Sequence, residues 1–167
     1  MGFFTSGSQT VLAHPAEDIY DFVSDPNNWP KTYKGSHGIA NQIKTPLNVG
    51  DVWTEVVQPS ETFSCRSTWR LITAERPRKW VFQQVDEIGA AADGTGGVPG
   101  ITTISYTFEP AGDGLTLFTR TLHCELPRGV RIPDQLLIAR AQPAGIDSYH
   151  EAVARELDKM KAERVPA

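Results

Sequence analysis

Four side chains in this sequence combine reactive chemistry with an apolar setting. Glu55 alternates with Trp53 and Val57 along one strand face, opposite Val52, Thr54 and Val56. Arg120 shares a face with Phe118, Leu122 and Cys124, whereas Leu115 and Leu117 share the other face with His123. The Phe118 face is the better interior candidate, and Arg120 goes inside with it. If the Trp53 face also points inward, two charges enter one core. A lone buried charge is strongly unfavourable, so each would need the other or a polar ligand atom; the alternative is that each lies at a strand end in water. Tyr106 and Tyr149 could hold hydroxyls over the same space, where a phenol can orient a carbonyl or donate a proton in an aldol-type cyclisation. They could equally be core tyrosines whose hydroxyls reach the surface or the backbone. Glu55, Tyr106, Arg120 and Tyr149 are thus the candidate catalytic residues.

Other chemistries find little support. His14, His37, His123 and His150 are scattered and form no HExxH pattern, so no metal site is expected. His150 follows Tyr149 on a helix and is expected to point about 100° away from it. GxSxG and GxxxxGK[ST] are absent, which leaves no serine-hydrolase elbow and no phosphate loop. Cys65 and Cys124 belong to no CxxC pair and read as buried thiols rather than zinc ligands or a disulfide. No cofactor is expected. With 16 basic and 20 acidic residues the net charge is −4, the wrong sign for a nucleic-acid surface. The one basic cluster, Arg76, Arg78 and Lys79, surrounds Pro77 in a solvated turn. No run approaches the roughly 20 apolar residues of a membrane span, and no signal peptide is visible, so the expected location is cytoplasmic.

The elements that must position these groups follow from periodicity and punctuation. Phe3 to Leu12 reads as a strand. Pro15 opens a helix bearing Ile19, Phe22 and Val23, which Ser24-Asp25-Pro26 ends, and a second short helical turn runs to about Tyr33. Strands are expected at 36–43, 52–57, 63–74, 79–86, 101–109 and 115–126, with a turn at Pro59-Ser60. The glycine-rich stretch Ile88–Gly100 reads as a flexible hairpin loop unable to pack a core, a solvated loop or a gate. From Pro133 the chain is helical to about Glu163, broken near Pro143 and Gly145. Ile146, Tyr149, Val153, Leu157 and Met160 share one face of that helix, and Glu151, Arg155, Asp158 and Lys161 fall away from it. Parity places Cys65, Ser67, Trp69 and Leu71 inward, then Trp80, Phe82 and Gln84, then Ile104, Tyr106 and Phe108. About seven antiparallel strands need one face covered, and the final helix is the only large element able to do so. The fold class is α+β, a curved sheet gripping a long C-terminal helix with two short helices after the first strand, in a single domain over residues 1–167.

Several motifs in this order resemble a known family. His14-Pro15-Ala16-Glu17-Asp18-Ile19-Tyr20-Asp21-Phe22-Val23-Ser24-Asp25-Pro26-Asn27-Asn28-Trp29-Pro30 resembles the opening helix and D-P-x-x-W-P turn of the START-like (SRPBCC) superfamily. That superfamily holds the polyketide cyclase/dehydrase, lipid-transfer-like and birch-pollen-allergen-like helix-grip proteins. Asn48 to Trp53, Glu75 to Trp80 and Gly114 to Leu117 match further family motifs in order. The resemblance implies a hydrophobic cavity between sheet and final helix, and it favours Trp53, and hence Glu55, pointing inward. The fold hosts many activities and does not name a ligand.

Three functions fit. The first is binding of an apolar small molecule, such as a lipid, isoprenoid or polyketide, by Trp53, Trp69, Phe82, Tyr106, Phe118, Ile146, Tyr149 and Val153. The second is a cofactor-independent polyketide cyclase or dehydratase that positions a chain and exchanges protons. The third is an accessory protein that stabilises a partner. The chain is expected to be a monomer or homodimer.

Overall fold

The computed structural model describes residues 2–61, 63–134, 137 and 141–164. Strand β1 (Gly2–Leu12) leads into helix α1 (Ala16–Val23), a 3-10 turn (Pro26–Asn28) and the short helix α2 (Trp29–Thr32). Strands β2 (Ser36–Ile39), β3 (Val52–Ser60), β4 (Phe63–Glu75), β5 (Lys79–Gln84), β6 (Ile101–Gly112) and β7 (Leu115–Leu126) follow, and helix α3 (Pro143–Glu163) comes last. The sheet order is β1-β7-β6-β5-β4-β3-β2, and every neighbouring pair is antiparallel. This is the expected helix-grip architecture. No helix among the described residues is long and apolar enough to cross a membrane.

Alternation does most of the positioning. In β6, Thr102, Ile104, Tyr106 and Phe108 are buried and their neighbours are not, as a sheet with one covered face requires. In β7 the buried set is Thr116, Phe118, Leu122 and Cys124, so the Phe118 face is the inner one. Trp53, Glu55 and Val57 are the inner face of β3. Helix α3 buries Ile146, Tyr149, Val153 and Leu157 and exposes Glu151, Arg155, Asp158 and Lys161. Each buried apolar side chain on that stripe is worth roughly 1.5–3 kcal/mol before conformational entropy is charged against it. The floor is built from α1, whose first-turn Glu17 and Asp18 suit its positive end, and from the turn that Asp25 caps by accepting from Asn27 N at 3.0 Å. Trp29 then enters the core and donates Nε1 to Val23 O at 3.2 Å.

Several element limits differ from the sequence expectation. Strand β2 stops at Ile39 rather than Ile43, and β3 continues through Pro59 to Ser60, where a turn was expected. Strand β5 ends at Gln84, two residues early, and β6 runs on through Pro110 to Gly112, leaving a tighter hairpin at Asp113-Gly114. Helix α3 starts at Pro143 after an extended Gln142, so the expected break falls where proline fits best, in the first helical turn. Asp134, Leu137 and Ala141 are helical, but residues 135, 136 and 138–140 of that expected helical stretch lie outside the described residues. The Ile88–Gly100 segment is the clearest correction. Ile88 and Ala90 are buried in the core, and Ile88 and Val98 exchange both backbone bonds at 3.0 Å. Glycine supplies the close approach here. A Cβ on Gly100 would sit 2.7 Å from Ile88 Cδ1, 3.0 Å from Glu125 O and 3.1 Å from Leu126 Cδ2. Gly100→Ala is therefore expected to lower stability by about 2 kcal/mol through overpacking, read as a shifted urea midpoint with unchanged m-value.

Candidate functional site

A column of four near-parallel aromatic rings crosses the interior from β3 to α3. Trp53 stacks on Trp80 at 5.7 Å between centroids, Trp80 on Tyr106 at 5.8 Å, and Tyr106 on Tyr149 at 6.1 Å, with interplanar angles of 25°, 16° and 15°. Such spacings are those of offset stacks. The Arg120 Cζ lies 5.1 Å from the Tyr149 ring centroid and closes the column with a cation–π contact. Phe82 and Trp29 pack against its sides, and Trp69 meets Phe82 edge-on at 5.0 Å. Phe118 stands between Tyr106 and the final helix, 5.6 Å from Tyr106 and 4.7 Å from His150. All eight expected ligand-binding residues are buried, with Ile146 and Val153 supplied by α3. Their rings touch one another rather than lining an open vault. Surface pockets of about 450 Å³ along Arg131–Asp134 and about 370 Å³ along residues 41–48, 51 and 52 are not lined by the ring column.

Curvature brings the charged candidates together across that column. Glu55 on β3 and Arg120 on β7 are separated by three intervening strands, yet each lies in the other's field. Glu55 is 4% exposed. Trp69 Nε1 donates to its Oε2 at 3.4 Å, and Oε1 has no partner. Burial pushes the Glu55 carboxyl up to about 7 from an ordinary 4.5, against the opposing pull of Ser36, Trp69 and Arg120. A buried Glu55–Arg120 ion pair, one of the arrangements the sequence left open, is not formed. Neither residue makes an ion pair among the described residues. Arg120 is half-buried, its Nε is buried without a partner, and its electrostatic neighbours are the phenols of Tyr106, Tyr149 and Tyr33. Burial first, then Tyr106, raises the Tyr149 phenol well above its ordinary value. Tyr149 Oη and Trp53 Nε1 are also buried and unpartnered. Glu55, Tyr106, Arg120 and Tyr149 therefore meet in one region, as the sequence allowed but could not decide.

His150 is the residue whose burial the sequence reading did not anticipate. It is fully buried, with Nδ1 2.9 Å from Thr10 Oγ1 on the inner face of β1, and Nε2 lacks a partner. Burial, helped by the Arg120 charge and resisted by Asp147, lowers it to about 4 from 6.5, so it is neutral at pH 7. The signal was available: Ile146, Tyr149, His150, Val153 and Leu157 follow the i, i+3, i+4, i+7, i+11 spacing of a wide apolar stripe, in which two adjacent positions both face the core. Tyr33 and Ser36 were likewise missed, since nothing in a turn and a four-residue strand marks them. Of the other histidines, His37 is exposed, His123 is half-buried and His14 is itself buried. His14 Nε2 bonds Asp158 at 2.9 Å, and His123 bonds Thr5 at the surface. Cys65 and Cys124 are buried and form no disulfide. Among the described residues no cluster could hold a metal ion. The basic turn is tied down by charge, as Arg76 grips Asp21 through two hydrogen bonds of 2.6 and 2.8 Å.

Comparison with known proteins adds the family. The model for polyketide cyclase / dehydrase and lipid transport matches residues 5–163. The chain belongs to the polyketide cyclase/dehydrase and lipid transport family. A family relative, "Penitrem biosynthesis cluster 1 protein I" of Penicillium ochrochloron, is 30% identical over 127 residues, covering 73% of this chain and 76% of the relative. Among solved structures, a point mutant of Thalictrum flavum norcoclaurine synthase bound to a transition-state analogue matches with a TM-score of 0.66 at 14% identity, over 96% of this chain and 97% of that one. Ara h 8.0201 matches with a TM-score of 0.70 at 11% identity, over 95% and 99%. At such identities the two structures show that this family member has the Bet v 1-like fold.

Proposed function

We propose that this protein binds an apolar small molecule between the sheet and α3, with the polar end of that molecule held by Glu55, Tyr106, Arg120 and Tyr149. One observation carries the reading. Trp53 Nε1, Glu55 Oε1, Arg120 Nε and Tyr149 Oη are all buried without partners, around one stacked column of rings. An orphaned buried polar group costs about 1–3 kcal/mol. Four of them in one region are what a site prepared for a ligand's oxygen or nitrogen atoms would present, with the aromatic surface taking the apolar body. Entry requires the rings to part. Native mass spectrometry of freshly purified protein tests this, with a retained apolar compound as the expected result. Protein that stays empty and gives no fluorescence change with N-phenyl-1-naphthylamine, a neutral apolar probe, would overturn it.

A second reading has its own support. A carboxyl titrating near 7, beside a guanidinium and two phenols, is suited to take and return a proton at neutral pH. The similar Penicillium protein is named for a penitrem biosynthesis cluster, which favours a biosynthetic intermediate or product as the ligand here. The two readings separate on Glu55→Gln. In a cyclase or dehydratase the variant would still retain the co-purified compound but no longer convert it; in a carrier neither protein converts it.

A further inference from the structure

We propose that Arg120 is an anion receptor, so that the ligand is an apolar body carrying one negatively charged oxygen group of carboxylate or sulfonate type. This rests on the binding reading above and specifies its ligand. Arg120 is a partly buried cation with no carboxylate partner among the described residues. Its Nε is buried without a partner, and the Tyr149 hydroxyl, whose neighbours are Tyr106 and this guanidinium, can donate to an anion. The groups around the guanidinium are the phenols of Tyr106, Tyr149 and Tyr33, none of them a carboxylate. Glu55 acts on both Arg120 and Tyr149, and its burial resists ionisation. His150 on α3 is kept neutral partly by this same charge. A buried cation left without a counter-ion is costly, and the ligand is the natural place for the missing charge. Access is consistent with this role. Arg120 retains solvent contact, and Tyr33, 45% exposed at the end of α2, stands beside it. A head group can therefore reach the guanidinium from the rim while its apolar body lies along the rings.

The test compares 8-anilino-1-naphthalenesulfonate with N-phenyl-1-naphthylamine, which share the fused rings and anilino group and differ in the sulfonate. The native chain is expected to bind the sulfonate about tenfold or more tightly than the neutral probe. Arg120→Gln is expected to remove that preference and leave the neutral probe within about twofold. Arg78→Gln, an exposed arginine paired with Glu75, controls for surface charge and should change neither affinity. Should Arg120→Gln not fold, competition on the native chain replaces it: decanoate should displace N-phenyl-1-naphthylamine at a concentration about tenfold or more below that of decanol. Equal affinity for the two probes, equal displacement by acid and alcohol, or a parallel loss of both probes in Arg120→Gln overturns the anion receptor alone. Failure of both probes to bind overturns the binding reading and this inference with it.

Discussion

Between pH 4 and pH 6.5 the folding stability of Glu55→Gln is expected to rise by about 3 kcal/mol, while the native chain changes little over most of the same range. Two buried groups with opposite displacements produce this contrast. Glu55 titrates near 7 in the folded protein and near 4.5 when unfolded. The folded state holds the proton more tightly, so this contribution is complete below 4.5 and is lost as pH rises to 7. His150 titrates near 4 when folded and near 6.5 when unfolded. Here the unfolded state binds the proton, so stability is complete above 6.5 and is lost as pH falls to 4. Each displacement is worth about 3 kcal/mol, at about 1.4 kcal/mol for each tenfold change in proton affinity. The two slopes oppose each other between 4.5 and 6.5 and largely cancel. Removing Glu55 exposes the His150 slope. His150→Asn should expose the opposite one, with stability falling from pH 4.5 to pH 7. Asp21, held low by its bonds to Arg76, loses its contribution only below about 3.8 and does not intrude. Urea unfolding at half-unit pH intervals reads all three proteins. Parallel curves for the native chain and Glu55→Gln would show that Glu55 ionises normally in the folded state.

Trp80→Ala is expected to destabilise the protein by about 3–5 kcal/mol, a third or more of the stability of a typical domain. Trp80 is 1% exposed in the middle of the ring column. It stacks on Trp53 and Tyr106, touches Phe82 at 4.8 Å and meets Trp29 edge-on at 6.5 Å. A buried indole covers about 150–250 Å² of apolar surface, and the β5 backbone behind it is fixed by bonds to β4 and β6, so the space cannot collapse. The loss also uncouples Trp29, which anchors the floor through Val23 O. Trp80→Phe should cost roughly half as much, since a ring remains in the stack. Ile72→Ala, on the exposed side of β4, is the comparison, and a cost for Trp80→Ala no greater than for that surface change would show that the column does not hold the core.

Much of the container was legible along the chain because its determinants are local. Alternation in 101–108 set the buried face of β6 and favoured the Phe118 face of β7, Pro143 marked the break at which α3 begins, and a 3.6-residue rhythm set its inner stripe. What failed was also informative. The Ile88–Gly100 glycines read as freedom, yet Gly100 is required because Ile88 packs where a Cβ would go. His150 read as turned away because one neighbouring residue was compared with another, instead of asking how wide the buried stripe must be against a strongly curved sheet.

The residues of the site were nameable from sequence, but their assembly was not. Side-chain parity could send Glu55 and Arg120 inward one strand at a time. Whether two groups three strands apart share one field depends on sheet curvature, a property of all seven strands together. Whether they pair depends on how the side chains around them pack, and here Trp53, Trp80, Tyr106 and Tyr149 stack into one column with Arg120 over its last ring. By itself the sequence determined the elements, their order and the buried faces of β4, β5, β6 and α3, because these follow from propensity and period. Only the tertiary structure decided that the two groups meet without forming an ion pair, because that outcome rests on contacts between segments roughly 25 to 45 residues apart.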